Sequence, residues 1–526
     1  MYGKDAEHRN LTVEFVQHPM WYALKSLATL SENASDDAYS QLTSYYASSI
    51  ADYLADDIKS DSLRKEVLGK VADKDYRRKL RDESIEKLYS LQNSDGTWSW
   101  FKGMQGSEYM TVSIAEQMIH LKNLIGKKYC RGNLMLERAM PVVDSIICRN
   151  ASYLRKLKKW ELSNVNEFVL HAMYIRMMSS SVRNEKVEAD IEYLIKEVLE
   201  NPSALTIYGK AIFANVLALR GDKQHAGEFL ESIRQYSVQT PSMGVYFDTS
   251  KAYYSWYDYK LPTVSAAVEA FHNIEPTDTE MIEGMQKWLL EEKRTHEWNT
   301  QINSNDAIYA LLLGNLQNME KTTGSVEMAL DGKKLQLEAP KGVEGFSKAK
   351  IKNVEAKNLT IHSIANRANA VSKLNKTSWG SIFAECEMPI ANIDTTNSCG
   401  FSIERKVEPV DGSKELKVGD KVREVITFHA DRDFDFVKVT SNRAACLEPV
   451  EQATGYDWHT RAYVKPRDNR TEYSFYRLPK GDYMIETEYY IDRVGDYESG
   501  SCNISCQYAP AFSAYSKPAE KIEVKK

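Results

Sequence analysis

The hydrophobic positions along the chain follow two different periods. After a short alternating segment, LTVEF at residues 11–15, apolar residues recur at helical spacing from about residue 19 to about residue 314. One example is the set Ile85, Leu88 and Leu91, which lies on one face of a helix with charged residues on the other. The pattern predicts a single long all-α block of a dozen or more helices, interrupted at short polar turns such as SENASDD, NSDG, ENPS and RGDK.

Beyond the helical block the period falls to two, which is typical of strands. The alternating stretches are SVEMAL, KLQLEA and AKNLTIHSI and then, after a linker near Ile393–Asn397, FSIERKV, KVREVITFHA, FDFVKVTS and YMIETEYYI. Turn pairs such as Asp-Gly separate them. The sequence therefore predicts two β units, a small one and a C-terminal sandwich. We expect the isolated strand at residues 11–15 to pair with the first unit, so that the helical block is an insertion within a β-domain.

The stretch LQNSDGTWSWF, residues 91–101, indicates how the helices are arranged. Gly96 supplies the positive φ of a tight turn, and the aromatic residues after it can plug the end of a helical barrel. Its Gln-x-x-Asp-Gly-x-Trp pattern resembles a turn that recurs in α/α toroids, including terpenoid cyclases and complement-type thioester domains. The predicted fold class is multidomain α+β, with an α/α toroid inserted in a small β-sandwich and followed by a C-terminal antiparallel β-sandwich.

Composition and charge narrow the classes of function. The 526 residues are 43% hydrophobic and 27% charged, and no apolar run approaches the ~20 residues needed to cross a bilayer, so we expect no membrane insertion by this chain. A net charge of −6 with dispersed Lys and Arg argues against a nucleic-acid partner. Seven scattered cysteines are not a disulfide framework, and their pairing stays open. The N-terminal MYGKDAEHRN has no signal-peptide h-region, which indicates a cytosolic protein unless the chain belongs to a longer exported one.

Three stretches resemble the C-terminal half of the bacterial alpha-2-macroglobulin family. They are HPMWYALKSLATL with QLTSYYASSIADYLA, then DGTWSWFKGMQGSEYMT with EWNTQINSNDAIYALL, and finally LKVGDKVREVITFHADRDFDFVKVTSNRAACLEPVE with RDNRTEYSFYRLPKGDYMIETEYYIDRVGDY and QYAPAFSAYSKPAEKIEV. The resemblance implies a CUB-like β-domain at residues 1–18 and 315–392. It also implies a thioester-domain-like toroid at residues 19–314 and a macroglobulin-like, or receptor-binding-like, sandwich at residues 397–526.

The family's thioester joins a cysteine sulfur to the glutamine three residues later, in a Cys-x-Glu-Gln context. No Cys-x-x-Gln occurs anywhere in this chain, and in RAACLEPVEQ the third position after Cys446, where the pattern has its glutamine, holds Pro449, which has no carboxamide. Matching DDAYSQLTSYYASSIA to the family pattern puts Ala38 on the cysteine, Ser40 on the glutamate and Gln41 on the acyl glutamine. We therefore expect a degenerate thioester position that cannot capture targets covalently.

A toroid can also be an enzyme, and the main alternative is a polysaccharide lyase or another carbohydrate-active enzyme. Such enzymes abstract protons with Tyr and His, and the candidates here are His120, His171, Tyr109 and Trp98, for which a structural role is the preferred interpretation. The pairs Asp36-Asp37 and Asp56-Asp57 fit no terpenoid-cyclase motif and are expected to cap or solvate helix ends. The sequence has no zinc motif, and strand geometry would put Cys502 and Cys506 roughly 13 Å apart.

These observations predict a non-catalytic protein with no cofactor or metal, whose partners are proteins, either proteases or envelope proteins. The resemblance implies that the full-length molecule traps or inhibits proteases by steric enclosure. The family's upstream domains and protease-sensitive bait region would lie before Met1, so we expect the chain alone to inhibit nothing. The implied location is the periplasm or cell envelope, if the chain is part of a longer exported one.

Overall fold

We describe a computed structural model of the chain. It describes residues 7–16, 20–31, 35–55, 58, 61–126, 131–157, 165–241, 243–247, 260–295, 301–314, 316, 324–337, 346–354, 358–365, 379–387, 398–413, 415–498, 500–507, 509, 512–517 and 521–526. The linker predicted near Ile393–Asn397, the pair Asp56-Asp57 and Cys130 lie outside these residues.

Within the described residues the helices follow one another along most of the first three-fifths of the chain. They are α1 (Met20–Leu30), α2 (Ala38–Leu54), α3 (Asp61–Leu68), α4 (Lys74–Ser90), α5 (Glu108–Ile125), α6 (Asn133–Leu154), α7 (Glu167–Met178), α8 (Glu185–Glu200), α9 (Ile207–Leu219), α10 (Lys223–Arg234), α11 (Lys260–Ile274), α12 (Thr279–Thr295) and α13 (Gln301–Leu312).

The helices form two concentric rings. Six of them, α2, α5, α7, α9, α11 and α13, pack each against the next, and α13 returns to pack against α2, which closes the inner ring. Inner helices are buried almost all round, as in α11, where residues 261–271 are all buried. Outer helices such as α10 and α12 bury one face against their inner neighbours. This arrangement is the predicted α/α toroid.

The turn after α4 closes one end of the toroid. Gly96 has φ of 89°, and a Cβ there would lie 2.0 Å from the backbone oxygen of Arg138, so only glycine fits. Gln92 donates through Nε2 to the backbone oxygens of Gly96 and Met135, at 3.1 and 2.9 Å. Trp98 is fully buried, and its indole N–H donates to the oxygen of Leu88 at 3.0 Å. Trp98 is therefore part of the packed turn and does not line a groove.

The helical block is not purely α, which corrects the sequence prediction. Between α10 and α11 lies an antiparallel hairpin of β2 (Ser237–Thr240) and β3 (Gly244–Phe247), whose register pairs Ser237 with Phe247. Val245 and Phe247 are buried in the toroid core, and β3 packs against α12. The two strands have four residues each, too short for the alternation in the sequence to be distinguished from a helical segment.

The other strands belong to the β units. They are β1 (Glu7–Val16), β4 (Gly324–Leu330), β5 (Lys333–Lys334), β6 (Phe346–Ile351), β7 (Leu359–Ala365), β8 (Trp379–Glu387), β9 (Phe401–Pro409), β10 (Leu416–Lys417), β11 (Lys421–Ala430), β12 (Phe434–Asn442), β13 (Leu447–Pro449), β14 (Gly455–Asp457), β15 (Ala462–Pro466), β16 (Arg470–Leu478), β17 (Gly481–Ile491), β18 (Gly495–Tyr497), β19 (Cys502–Cys506), β20 (Ser513–Tyr515) and β21 (Ile522–Lys525).

The first β unit includes the N-terminal strand. β1 lies between β6 and β8 in an antiparallel sheet, and β4 pairs with β5 and β7 in a second sheet. Leu11, Val13 and Phe15 of β1 share a core with Met328 of β4, so the two sheets pack face to face. The predicted strand KLQLEA is wrong for residues 335–337, and its last two residues lie outside the described part of the chain. Its pairing in β5 ends at Lys334, after which Leu335 keeps one backbone hydrogen bond to Met328.

The C-terminal unit is an antiparallel β-sandwich. One sheet has the order β13-β17-β11-β9 and the other β14-β15-β16-β12-β19-β20. Alternate residues point inward, so Ile426 and Phe428 of β11 meet Val437 and Val439 of β12 in the core. The buried residues of β19 include Cys502 and Cys506, and both are free thiols, as is the buried Cys446. The α+β fold class predicted from sequence is thus confirmed.

None of the helices in the described part of the chain combines the length and the apolar character that a membrane span needs.

Candidate functional site

The predicted thioester position lies at the first turn of α2. Asp37 is the N-cap and accepts from the backbone N–H of Ser40 at 3.0 Å and from the Ser40 hydroxyl. Ala38 is fully buried, and its N–H donates to the backbone oxygen of Trp100 at 3.0 Å. The side chain at residue 38, the position predicted from the sequence to match the family's cysteine, is therefore a methyl group packed in the toroid core.

Gln41, matched to the acyl glutamine, is also held in place. Its Nε2 donates to the backbone oxygen of Ser35 at 2.7 Å, and the side chain is buried. Residues 38 and 41 are three apart on a helix and share a face. The backbone thus brings the two predicted positions together as the family pattern requires, but the sulfur atom that would react with the carboxamide is missing.

Aromatic side chains border this position. Tyr39 packs edge-to-face with Trp100, with ring centroids 4.9 Å apart, and burial raises the pKa of the Tyr39 hydroxyl. Trp100 and Tyr109 are partly exposed at the same end of the toroid, and Tyr109 packs against Phe168 with centroids 6.0 Å apart. Tyr109 therefore lies on the surface, whereas both predicted histidines are buried.

The cap at Asp37 gives a first prediction. We expect Asp37→Ala to lower the free energy of unfolding by about 0.5–2 kcal/mol, because it removes the acceptor for the first N–H groups of α2. The neighbouring Asp36 makes only an exposed ion pair with Lys87, at 2.7 Å, so Asp36→Ala should cost under about 1 kcal/mol. Urea denaturation of both variants checks this, and equal losses would contradict the assigned cap.

The two predicted histidines lie in a buried cluster of ionisable groups at the centre of the inner ring, which we call the core cluster. It consists of Glu116 and His120 on α5, His171 and Tyr174 on α7, Glu269 on α11, and Asp306 and Tyr309 on α13. The sequence placed both histidines on helices, but their acidic partners, Glu269 for His120 and Glu116 for His171, lie 149 and 55 residues away along the chain and could not be assigned from spacing. One partial signal existed, because Glu116 and His120 are four apart and share a helix face.

Each histidine has a carboxylate partner. His120 Nε2 lies 3.1 Å from Oε1 of Glu269, and His171 Nε2 lies 2.8 Å from Oε1 of Glu116. The Glu269 carboxylate also accepts from the hydroxyls of Tyr174 and Tyr309, at 2.6 and 3.0 Å. The ring of His120 stacks on Tyr309 with centroids 3.8 Å apart. Several inner helices are thus tied together by buried polar contacts.

Burial and charge act against each other in the core cluster. Burial lowers the pKa of His120, but the carboxylates of Glu269, Glu116 and Asp306 together outweigh it and the pKa is raised to about 9. Burial also lowers the pKa of His171, but Glu116 and Asp306 together outweigh it and the net shift is upward. Burial and the Glu116 carboxylate raise the pKa of Asp306 to about 7, although both histidines act in the opposite direction. His120 is therefore cationic at neutral pH.

The core cluster encloses a cavity of about 30 Å³, bordered by His120, Ser265 and Asp306 among others. A buried water needs about 10–15 Å³, whereas small-molecule pockets are typically about 300–1,000 Å³. The space admits a molecule of the size of water and excludes a sugar ring. In the residues that the structure describes, no group of three or more His, Cys, Asp and Glu side chains is arranged to hold a metal ion.

Comparison with known proteins gives one family match. Residues 400–511 match the model of the bacterial alpha-2-macroglobulin MG10 domain, and these residues hold most of the C-terminal sandwich. No curated protein matches the chain.

The chain is also similar to solved structures. A fragment of Escherichia coli alpha-2-macroglobulin from domain MG7 to the C-terminus is 13% identical, with 99% of this chain and 79% of that chain covered and a TM-score of 0.43. A Salmonella alpha-2-macroglobulin variant is 13% identical, with coverages of 99% and 32% and a TM-score of 0.42. Escherichia coli alpha-2-macroglobulin activated by porcine elastase is 13% identical, with coverages of 100% and 46% and a TM-score of 0.42.

The chain thus spans 32% of the Salmonella protein and 46% of the elastase-activated one. The match to the MG10 model, over residues 400–511, confirms the resemblance to the bacterial alpha-2-macroglobulin family that was predicted from the sequence.

Proposed function

We propose that this chain is a non-catalytic, thioester-less part of an alpha-2-macroglobulin-like protein, acting in protease trapping or as a protein-interaction module. The observation that carries the proposal is Ala38, buried at the position where the family pattern has its reactive cysteine. A methyl group supplies no sulfur, and the Gln41 carboxamide is bound to the backbone of Ser35 instead. Any contact with a protease is therefore noncovalent.

We extend the proposal to the domain division, the partners and the location. Residues 1–18 and 315–392 would form the CUB-like domain, residues 19–314 the toroid and residues 397–526 the terminal domain. Proteases are the proposed partners within the full-length context, in keeping with similar proteins described as activated by elastase or trypsin. The proposed location is the periplasm or cell envelope.

The alternative function, a polysaccharide lyase, is less well supported. A lyase needs its Tyr and His beside an open groove that holds several sugar rings, but His120 and His171 are both buried, and the cavity that His120 borders has a volume of only about 30 Å³. Incubation with a uronate-containing polysaccharide should give no rise in ultraviolet absorbance from unsaturated products. Such a rise, abolished in His120→Gln, would overturn the non-catalytic proposal.

The noncovalent mode of action can be tested with trypsin. After incubation and denaturation in detergent, we expect no conjugate of chain and protease, because the chain contains no acyl donor. Cleavage of a small chromogenic substrate by trypsin should also proceed at its usual rate. Gln41→Ala is the matched control, and a detergent-resistant conjugate that forms with the native chain but not with this variant would refute the proposal.

A further inference from the structure

The outer face of the six-stranded sheet in the C-terminal sandwich exposes four large aromatic side chains. Trp458 is 82% exposed, Tyr476 72%, Tyr456 50% and Tyr463 48%, and we call this set the aromatic face. Tyr456 and Tyr463 are directly opposite one another on β14 and β15, and Tyr456 packs edge-to-face with Trp458, with centroids 4.8 Å apart. Aromatic surface of this extent in contact with water is typical of a binding site.

Hydroxyl and ammonium groups continue the same face. Tyr463 on β15 lies opposite Ser474 on β16. Ser474 also lies opposite Lys438 on β12, and Lys438 lies opposite Ser505 on β19. Directly opposite residues of neighbouring strands point to the same side of a sheet, so these side chains form one row across β15, β16, β12 and β19. The other face of these strands is in the core, where Tyr473 and Val439 are buried.

Trp458 is presented by a well-ordered turn. The Asp457 carboxylate accepts from the backbone N–H groups of His459 and Thr460, at 3.0 and 3.3 Å, and from the Thr460 hydroxyl at 2.7 Å. Such a turn fixes the backbone under the indole before any ligand arrives. Binding there loses less conformational entropy than binding to a mobile loop.

Cations gather at one end of the aromatic face. Glu472 is contacted by Arg470 Nε at 2.8 Å, Lys438 Nζ at 2.9 Å and Arg467 Nε at 3.8 Å, and Lys465 lies opposite it in register. Four cations around one carboxylate give this area a positive charge within a chain whose net charge is −6. The charge complements an anionic ligand.

We propose that the aromatic face, with the cations around Glu472, binds a polysaccharide that carries carboxylate groups. The apolar side of a sugar ring can lie on an exposed indole or phenol ring, while its hydroxyls exchange hydrogen bonds with Ser474 and Ser505. The guanidinium groups of Arg467 and Arg470 are suited to a carboxylate and already contact one in Glu472. This binding activity goes beyond the proposed function and does not depend on it.

Two other anionic ligands fit less well. Single-stranded nucleic acid combines stacking with charge, but it relies on a series of phosphate contacts, whereas the cations here lie at one end and hydroxyl groups occupy the rest. An acidic peptide would use the cations but would leave the hydroxyl row without partners. Both ligands serve as comparison arms in the experiment.

Affinity electrophoresis of the whole chain, in gels that contain polygalacturonate, tests the proposal. We expect polygalacturonate to retard the chain, less so as salt is added, and dextran, polyglutamate and oligothymidylate to have little effect. Trp458→Ala and Tyr476→Ala should each weaken the binding about fivefold, since one aromatic contact is typically worth about 1 kcal/mol. Tyr490→Ala, at an exposed tyrosine on β17 of the other sheet, is the matched control and should bind like the native chain.

Three results would overturn the proposal. They are the absence of retardation by polygalacturonate, retardation that both aromatic variants retain in full, and equal or stronger retardation by polyglutamate or oligothymidylate. Unchanged thermal unfolding of the variants shows that any loss of binding comes from the aromatic face, since both side chains are on the surface.

Discussion

Replacing Asp144 by alanine is expected to lower the free energy of unfolding by about 3–5 kcal/mol, because the variant leaves a buried cation without its counter-charge. The cation is Arg176 on α7, whose side chain is 2% exposed and whose Nε donates to Asp144 Oδ1 at 2.6 Å. A guanidinium group cannot lose its charge by releasing a proton. The remaining contacts with the backbone oxygens of Ser181 and Val182, at 3.0 and 2.9 Å, are with neutral acceptors.

Helix α6, which carries Asp144, also offers a matched control. Its Arg149 pairs with Glu108 through two contacts of 2.8 and 2.6 Å, but both side chains are substantially exposed. Glu108→Ala should therefore cost no more than about 1 kcal/mol. Chemical denaturation followed by the helical circular-dichroism signal measures both variants, since the described helices all belong to the toroid. Equal losses of unfolding free energy in the two variants would show that the Arg176 guanidinium is solvated, and would contradict its buried position.

Raising the pH from 4 to 9 is expected to destabilise the toroid through the core cluster. The pKa of Asp306 is raised from 3.8 to about 7, so its proton is bound more tightly in the folded state. The free energy by which this proton stabilises the folded state is fully present below pH 3.8 and is lost as the pH rises through 7. The pKa of His120 is raised from 6.5 to about 9, so its contribution is present below pH 6.5 and is lost as the pH rises through 9.

Asp306→Asn separates the two contributions. The asparagine cannot ionise, and its Oδ1 can still accept from Gln117 Nε2 as the aspartate does. At pH 8 we expect the variant to be more stable than the native chain by on the order of 3 kcal/mol, while at pH 4 the two should be similar. Denaturation curves across this range measure the difference, with Asp36→Asn at an exposed position as the control. A variant that is less stable than the native chain at pH 8 would contradict the assigned environment of Asp306.

The spacing of hydrophobic residues in the sequence predicted the helices and strands well where an element buries only one of its faces. Strand β11 alternates strictly, and β12 does so from Val437 onward, because one side meets the sandwich core. Inner-ring helices such as α11 are buried almost all round, but they lie within the helical block that the spacing predicted. The β2–β3 hairpin was missed because its strands are four residues long. KLQLEA was over-predicted because Leu335 and Leu337 pack on the adjoining core without extending the ladder.

The candidate site was predictable only in part. Ala38, Ser40 and Gln41 follow from a local pattern, and a single helix turn holds all three. The core cluster could not be assembled from the sequence, because it forms only when the ring closes and brings α5, α7, α11 and α13 together. Similarly, the aromatic face needs the register of β14, β15 and β16, and no spacing in the sequence reveals that Tyr456 lies opposite Tyr463.

The proposed function requires that the chain has no thioester, and the intact mass of the chain before and after exposure to methylamine is the decisive measurement. A thioester releases one ammonia when it forms and takes up one methylamine when it opens, so both steps change the mass. For this chain we predict the mass of the printed sequence in both samples. A native mass lower by one ammonia, with a gain of one methylamine located at Gln41 after treatment, would contradict the account.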